Sequence, residues 1–430
     1  MATAAELTIN TAATAEDLFN EIFGAGVTLV GGTATLQGDG VQSGIYSGAL
    51  TSLQGISPSD SGVILSTGNV ADFTNATGAT NVNAGTSTDV VGGIDGDLDM
   101  NSVAGQATFD ATIMEAQFIP TGDTMTIQLV FSSEEYLEFV ASGVNDSLGL
   151  FVNGTKIDFV LGNGNISIDE ITDTNNADLY LDNPAGTDNY NTEMDGLTTV
   201  LTCKADVNPG VANDIKIGIA DGGDAEFDSN VLIMANSVQS VAIANDDTWQ
   251  IAPSSTAVFD PLANDDDLLG NGLTVTQING VNLLPGQSIT LGSGEQITLN
   301  ADNTFTVTSD ADLVNTAFTY TVDNGTGTTD IGIIQLETLT NPPADGVVEG
   351  TTADDVIDAA YLGDPEGDRV DNNDAILPGT TGDDDSILGF GGNDSILAGA
   401  GNDTVDGGVG NDSLIGGDGA DSISGQNDND

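Results

Sequence analysis

The stretch that decides the C-terminal fold runs from residue 380 to residue 430 and repeats every nine residues. Its blocks read TTGDDDSIL (380–388), GFGGNDSIL (389–397), AGAGNDTVD (398–406), GGVGNDSLI (407–415) and GGDGADSIS (416–424), followed by GQNDND (425–430). The sixth position of each block is an aspartate: Asp385, Asp394, Asp403, Asp412, Asp421 and Asp430. The eighth position is aliphatic wherever it is present: Ile387, Ile396, Val405, Leu414 and Ile423. This period predicts a regular repeat architecture.

The spacing predicts how the repeat folds. Glycines permit tight turns with positive φ, and the aliphatic residue of each block points inward from a short strand. If two blocks make one coil, Asp385, Asp403 and Asp421 stack along one edge, and Asp394, Asp412 and Asp430 along the other. Carboxylates about 4.8 Å apart repel one another unless a cation lies between them. The turns therefore favour Ca²⁺ held by carboxylate and carbonyl oxygens.

The blocks resemble the hemolysin-type calcium-binding repeats (RTX parallel β-roll), whose pattern is GGxGxDx-aliphatic-x. Asp403, Asp412 and Asp421 match best, with Gly401, Gly410 and Gly419 before them; the first block departs, with acidic residues at 383 and 384. The segment 350–358 looks like a related unit, separated from the others by an acidic insert containing Asp364, Glu366, Asp368 and Asp371. The resemblance implies Ca²⁺ as the bound ion. The alternative interpretation is a flexible acidic tail.

The composition excludes several classes of function. The 430 residues include 4 Lys+Arg and 67 Asp+Glu, for a formal charge of −63. This charge argues against binding to nucleic acid or to anionic membrane surfaces. The absence of His excludes His-dependent catalysis and His-ligated metals. We expect the single cysteine, Cys203, to be an inert strand residue rather than a reactive thiol.

The N-terminus has no features of a cleaved signal peptide. Residues 1–23 contain four acidic residues and no Lys or Arg, and no run in the chain is long and apolar enough to cross a membrane. The protein is then either cytosolic or exported without an N-terminal signal. RTX proteins generally leave by type I secretion with an uncleaved C-terminal signal, so the resemblance implies an extracellular location. Because the sixth block is incomplete, we expect a longer or processed protein.

Residues 1–240 have the pattern of an all-β sandwich. A short helix is predicted over 14–23, capped by Thr14 or a neighbour and followed by Gly24. Beyond it the apolar residues alternate, as in 125–131 and 215–219. Six phrases in order resemble the bacterial choice-of-anchor L domain: FNEIFGAGV (19–27), SGVILSTG (61–68), LVFSSEEY (129–136), NDSLGLFV (145–152), MDGLT (194–198) and IADGGDAEFDS (219–229). That family occurs on secreted and surface proteins.

The pair Glu134 and Glu135 is the feature of this domain that favours a chemical role. Neighbouring residues on a strand face opposite sides, so a second carboxylate would come from Asp146, Asp224 or Asp228. The same set could form an oxygen cage for Ca²⁺ at the end of a loop. Three interpretations stay open, namely a metal or structural role, hydrogen-bonded surface residues, and glycosidase catalysis.

The pattern of residues 241–340 predicts a smaller β-sandwich of immunoglobulin or cadherin type. Its strand-like runs lie at 273–276, 296–299, 304–307 and 318–322. The acidic phrases ANDD (244–247) and DPLANDDD (260–267) resemble the edge motifs of cadherin-like or VCBS-type adhesin domains. This resemblance implies Ca²⁺ ligands at the domain junction, with Asp246, Asp247, Asp265 and Asp267 as candidates. The alternative is that these aspartates have no metal role and occur there because Asn and Asp favour turns. Asn341-Pro342-Pro343 reads as a linker before the 345–430 repeat region.

The sequence therefore predicts an all-β protein: a jelly-roll-like sandwich, a small immunoglobulin-like or cadherin-like sandwich and a parallel β-roll. We expect an extracellular calcium-binding protein, not an enzyme, that acts in surface-layer, matrix, biofilm or filament assembly and in adhesion. Self-association is the expected interaction, with cell-surface polysaccharide or other surface proteins as further partners. The alternatives are a carbohydrate-binding module, a glycan hydrolase that uses Glu134 or Glu135, and an intracellular calcium buffer.

Overall fold

The structure, a computed structural model, describes residues 6–57, 59–75, 85, 87, 90, 92–160, 164–184, 186, 189–339, 344–373 and 375–426. These residues form two compact units. The first comprises the described residues of Met1–Asp247, Leu262–Leu283 and Ala317–Ile334, and the second those of Thr248–Pro261, Leu284–Thr316 and Gln335–Asp430. The predicted middle domain, 241–340, thus contributes to both units. The predicted linker 341–343 and Asp430 lie outside the described residues.

Strands dominate the described residues. The helices are α1 (Ala15–Ile22), α2 (Ala49–Ser52) and α3 (Leu98–Ala104), with short 3-10 turns at Val70–Phe73 and Ala177–Leu179. The strands of residues 1–240 are β1 (Thr8–Asn10), β2 (Val27–Leu29), β3 (Thr35–Gln37), β4 (Ser43–Ser47), β5 (Ser61–Ser66), β6 (Thr108–Pro120), β7 (Thr124–Ser133), β8 (Ser147–Val152), β9 (Thr155–Lys156), β10 (Ile166–Ser167), β11 (Tyr180–Asp182), β12 (Gly196–Thr198), β13 (Leu201–Asp206), β14 (Asn213–Gly222) and β15 (Ser229–Met234).

The remaining strands are shorter on average. Those up to residue 338 are β16 (Ala242–Ile243), β17 (Asp247–Ile251), β18 (Thr256–Phe259), β19 (Asp266–Asp267), β20 (Thr274–Ile278), β21 (Val281–Asn282), β22 (Ser288–Thr290), β23 (Gln296–Leu299), β24 (Phe305–Thr308), β25 (Thr316–Asp323) and β26 (Thr329–Thr338). Those of the repeat region are β27 (Val347–Glu349), β28 (Val356–Ile357), β29 (Ser386–Leu388), β30 (Ser395–Ala400), β31 (Thr404–Asp406), β32 (Ser413–Asp418) and β33 (Ser422–Ser424).

Helix α1 confirms the predicted N-terminal helix. The side chain of Thr14 accepts a hydrogen bond from the Asp17 N–H at 3.2 Å, and the Asp17 carboxylate accepts one from the Thr14 N–H at 2.9 Å. This reciprocal pair satisfies N–H groups that the first turn leaves without partners. Leu18, Phe19 and Ile22 form its buried face and join the main core of the first unit.

Two antiparallel sheets form the N-terminal sandwich. One has the strand order β1-β4-β5-β15-β7-β12-β11, with β13 also paired to β7, and the other has the order β10-β8-β14-β6-β2, with β3 on β6 and β9 on β8. Alternate residues of β7, among them Met125, Ile127, Leu129 and Phe131, meet Ile215, Ile217 and Ile219 of β14 in the main core. This arrangement confirms the period-two pattern of both segments.

The first sheet is buried on its second face as well, which alternation alone does not predict. Val130 of β7 and Leu232 of β15 belong to a second apolar cluster with Leu53, from the segment after β4, and with Val70 and Phe73, from the segment after β5. These segments cover the outer face, so β7 is buried along nearly its whole length. Cys203 of β13 is buried too, and burial raises the pKa of its thiol to about 12, as expected of an inert residue.

The rest of the first unit comes from the middle of the chain. Strand β16 pairs with β19, and β26, β25, β20 and β21 follow one another in a second small sheet. Ile333 of β26 is buried in the main core of the sandwich. Part of the middle segment is thereby packed with the N-terminal sandwich.

The second unit contains a four-stranded antiparallel sheet of order β18-β24-β23-β22. Trp249 stacks on Phe259 with ring centroids 4.6 Å apart and meets Phe305 edge-on at 6.0 Å. The predicted runs at 296–299 and 304–307 are strands β23 and β24.

The repeat region is a parallel β-roll with one sheet on each side. The two sheets have the orders β27-β29-β31-β33 and β28-β30-β32, and all of their pairs are parallel. Stacked residues are 18 positions apart, as two nonapeptides per coil require. Ile387, Ile396 and Val405 form its core, whereas Ile423, on the last described strand, is 46% exposed.

The first coil of the roll lies far upstream. Val348 of β27 pairs with Ile387, and Ile357 of β28 pairs with Ile396, so the offset is 39 positions rather than 18. The extra residues form the insert, residues 359–379. The all-β class and the roll are thus confirmed. None of the helices in the described part of the chain has the length and apolar character needed to span a bilayer.

Close stacking of the coils makes Gly410 a sharp test of the roll. A Cβ at Gly410, where φ is +145°, would lie 1.5 Å from the Gly392 carbonyl oxygen. We expect Gly410→Ala to destabilise the roll by about 2–4 kcal/mol in thermal unfolding of the full chain with Ca²⁺. Gly379→Ala is the control, because φ there is +95° with nothing within 4 Å. Equal effects of the two substitutions would contradict the stacking.

Candidate calcium sites

The aspartates of the repeats form two lines along the edges of the roll. The Asp385 N–H donates to Oδ1 of Asp403 at 2.9 Å, and the Asp403 N–H donates to Oδ1 of Asp421 at 3.2 Å. On the other edge the Asp394 N–H donates to Oδ1 of Asp412 at 2.9 Å. Each of these hydrogen bonds occupies Oδ1 of the accepting aspartate. The second oxygen, Oδ2, faces the turn. Asp430 lies outside the described residues, so the second line is described as far as Asp412.

The second carboxylate oxygens have the surroundings of metal ligands. Asp394 and Asp403 are 2% and 1% exposed, and Oδ2 of each is buried with no hydrogen-bond partner. A buried oxygen without a donor is costly unless a cation or proton compensates it. Burial, with a smaller contribution from the Asp412 carboxylate, raises the pKa of Asp394 to about 6, and burial also raises the pKa of Asp403.

The glycines of the turns leave room at these oxygens. A Cβ at Gly389 would lie 2.8 Å from Oδ2 of Asp394, and one at Gly407 would lie 2.5 Å from Oδ2 of Asp412. At the fourth position of a block, Gly401, Gly410 and Gly419 have φ of +136°, +145° and +138°. These residues fit Ca²⁺, which takes carboxylate and backbone carbonyl oxygens. When bound, the ion supplies the positive charge that the two lines of aspartates lack.

Two further aspartates extend the lines. The Asp355 N–H donates to Oδ1 of Asp394 at 2.8 Å, and Asp355 holds the sixth position of the related unit 350–358. The Asp371 N–H donates to Oδ2 of Asp385 at 2.9 Å, which brings a residue of the insert onto the other edge. The nonapeptide pattern could have identified Asp355. The sequence placed Asp371 in the acidic insert, but no repeat pattern predicts that it joins this line.

A second group of carboxylates lies at one end of the N-terminal sandwich. Glu134 and Glu135 follow β7, Asp146 precedes β8, and Asp228 precedes β15. All four are buried, whereas the predicted Asp224 is exposed. Asp146 is anchored by the Gly222 N–H at 3.0 Å and the Ser229 hydroxyl at 2.7 Å. The structure thus gathers most of the predicted set, although neighbouring strand residues were expected to diverge.

Glu135 is buried beside Asp146 in this group. It is 1% exposed, and its carboxyl contacts both the side chain and the backbone N–H of Asp146. Burial, together with the charges of Asp146 and Asp224, raises its pKa to about 10. Burial also raises the pKa of Asp146 to about 7 and that of Asp221 well above its ordinary value. Asp221, a buried strand residue in β14, was missed because its spacing carries no pattern.

This burial bears on the glycosidase alternative. A glycosidase needs two carboxyl groups that reach a sugar ring from opposite sides. Glu135 and Asp146 are both 1% exposed, so a ring cannot enter between them without rearrangement of the loops. The geometry favours a structural or cation-binding role for the group.

The acidic residues of the middle segment have partners within the protein. Asp246 forms an ion pair with Lys204 at 2.7 Å and accepts the Ile333 N–H at 2.9 Å. Asp265 accepts the Asn245 N–H at 2.7 Å and the Tyr320 hydroxyl at 2.9 Å. Asp267 accepts the N–H groups of the turn that follows it: Leu269, Asn271 and Gly272. Asp247, whose charge helps to raise the pKa of Asp265, begins β17.

Comparison with known families assigns three segments. A sequence model of the choice-of-anchor L domain matches residues 8–239. A bacterial Ig domain matches residues 236–337, and the RTX calcium-binding nonapeptide repeat matches residues 380–405 and 406–430. No curated protein matches the chain significantly. The three predicted resemblances are confirmed, and the middle segment matches the immunoglobulin type. The nonapeptide repeats are of a calcium-binding type.

The raised pKa values predict how pH affects the calcium-free protein. A carboxyl whose folded-state pKa exceeds its unfolded value of 4.5 destabilises the fold increasingly as pH rises from 4.5 toward the folded pKa. We expect Glu135→Gln in EGTA to stabilise the chain by about 1–3 kcal/mol at pH 8 and to have little effect at pH 5. Calorimetry of the full chain measures both values.

Calcium should reverse the sign of this effect if Glu135 helps to bind the ion. At pH 8 with Ca²⁺, the unsubstituted chain is then the more stable of the two. Glu138→Gln is the control, since Glu138 is exposed three positions away. A stabilisation by Glu135→Gln that is the same with and without Ca²⁺ would contradict the cage.

Proposed function

Because the chain belongs to the choice-of-anchor L domain family and also carries calcium-binding nonapeptide repeats, we propose that it is a structural protein that folds and assembles outside the bacterial cell when it binds Ca²⁺. The domain combination is that of an extracellular calcium-binding surface protein. The proposed role is assembly of a surface layer, matrix, biofilm or filament, with adhesion as its consequence.

The observation that carries this proposal is the pair of aspartate lines in the roll. Oδ2 of Asp394 and of Asp403 are buried without a donor, and the next aspartates of the two lines, Asp412 and Asp421, each accept a hydrogen bond from their backbone N–H. Without a cation, closing the coils brings like charges together and removes them from water. Binding of Ca²⁺ to the closed roll therefore supplies folding free energy. The roll is the calcium-dependent element of the proposed assembly.

The calcium dependence suits export in an unfolded state. Where Ca²⁺ is scarce, repulsion among the aspartates of the repeats keeps them extended, in a chain whose net charge is −63. Outside the cell, Ca²⁺ is abundant enough for sites of the affinity found in extracellular modules. Type I secretion, as the resemblance to RTX proteins implies, is the route that we propose.

Exposed apolar side chains on the roll support contacts between copies of the chain. Leu397 and Ile415 are paired in register on β30 and β32, and both are exposed. Val409, in the turn between the sheets, is exposed as well. Such a patch on a small repeat domain favours association with a second copy, since burial of apolar area is the general driving force of assembly.

A calcium titration of the full chain tests the folding step. We expect β structure to increase cooperatively with Ca²⁺ in circular dichroism and EGTA to reverse the change. Asp403→Asn should shift the midpoint to higher Ca²⁺, because the amide keeps the shape and loses the charge. Asp418→Asn is the control, because it removes an exposed carboxylate of the same segment. A spectrum that does not respond to Ca²⁺ would contradict the proposed folding step.

Electron microscopy of the same samples tests the assembly step. We expect ordered polymers with Ca²⁺ and their loss in Leu397→Lys/Ile415→Lys, whose response to Ca²⁺ in circular dichroism stays normal. Calcium-dependent folding without polymers in the unsubstituted chain would leave a monomeric binding protein and refute assembly.

A further inference from the structure

A third group of carboxylates lies where the insert returns to the first coil of the roll. Glu349 ends strand β27, and the insert brings Asp364 and Glu366 next to it. One carboxylate oxygen from each of the three residues lies within 4.8 Å of the other two. Opposite ligands of Ca²⁺ are about this far apart, since each Ca²⁺–oxygen distance is about 2.4 Å.

The burial of Glu349 is a second observation that indicates a ligand, separate from the closeness of the three carboxylates. The residue is 1% exposed, and its Oε2 atom is buried without a hydrogen-bond partner. Oε2 of Glu366 is also buried without a partner. The described residues show no ion pair between these carboxyls and Arg369, the basic residue of the insert, whose side chain is exposed. Two buried acidic oxygens are thus left without any donor.

Asp364 is held in place as a ready-made ligand. Its carboxylate accepts the N–H of Glu349 at 3.0 Å, of Gly367 at 2.6 Å and of Asp368 at 2.7 Å. Three backbone donors favour the charged form and fix its orientation. Asp368 in turn accepts the Asp345 N–H at 3.1 Å, so further acidic side chains surround the group.

The group is separate from the nonapeptide sites. Glu349 pairs with Leu388, the ninth residue of its block, and therefore lies on a strand rather than on a turn. The aspartates of the lines hold the sixth position of their blocks. Asp364 and Glu366 belong to the insert, which the repeat pattern does not include.

We propose that Glu349, Asp364 and Glu366 bind one Ca²⁺ that fastens the insert to the first coil of the roll. An all-oxygen set rich in carboxylates suits a hard divalent cation. Mg²⁺ demands nearly octahedral geometry at shorter distances and keeps several waters, for which a buried glutamate offers little room. The ion offsets the repulsion among the three carboxylates and joins strand β27 to a part of the insert that begins 15 residues further along the chain. This site goes beyond the calcium-dependent assembly proposed above and does not depend on it.

Counting the bound ions tests the proposal. Equilibrium dialysis of the full chain with radioactive Ca²⁺ gives the number of ions per chain at saturation. We expect Glu349→Gln/Glu366→Gln to bind one ion fewer, while Asp418→Asn binds the same number as the unsubstituted chain. In EGTA the double variant should unfold at the same temperature or a higher one, since glutamine preserves volume and removes repulsion. An unchanged ion count in the folded double variant would overturn the proposal.

Two further variants separate this site from the repeats. Asp403→Asn should weaken binding at the aspartate lines and leave the ion at Glu349 in place, so that combining it with the double variant adds the two losses. Glu366→Gln alone, at a half-buried position in the insert, covers the case in which the double variant does not fold. It should lower the affinity for one ion only, and an unchanged binding isotherm would overturn the proposal.

Discussion

Negative charge without matching positive charge is the constraint on which the rest of this structure depends. With 67 acidic and 4 basic residues, only a few carboxylates can be neutralised by side chains of the chain itself. Lys204 with Asp246 and Lys216 with Asp97 and Asp99 are such pairs. Every other buried carboxylate must find N–H or O–H donors, hold a proton or share a cation.

The chain uses backbone donors wherever a turn can supply them. Asp267 and Asp364 each accept three N–H groups, and Asp146 combines a backbone N–H with the hydroxyl of Ser229. Among the described residues, the buried carboxyls whose pKa is raised because these donors do not offset burial include Asp394 and Asp403 of the aspartate lines, Glu135 at the end of the sandwich and Glu349 at the junction of the insert. In the repeats Ca²⁺ compensates several oxygens at once, and the site that we propose at Glu349 uses the same chemistry.

Local patterns in the sequence predicted a large part of the fold. The capping box at Thr14 and Asp17 depends on residues three apart, and the coil of the roll follows from a period of nine. The alternation along β7 and β14 located the core between the sheets. Alternation could not reveal that β7 is covered on its outer face, because the covering residues, such as Leu53 and Phe73, come from distant segments. Nor could it divide residues 241–340 between two compact units.

The sequence by itself determined the all-β class, the β-roll, the stacking of Asp385, Asp394, Asp403, Asp412 and Asp421, and the choice of calcium. Each of these follows from composition or from a repeat whose geometry is local. Only the tertiary structure decided which carboxylates lack donors, because those donors come from far along the chain. Asp146 receives the hydroxyl of Ser229, 83 residues away, and the N–H of Gly222, 76 residues away. Glu349 meets Asp364 only because the insert folds back onto the first coil, a contact between a strand and a loop that no periodicity encodes.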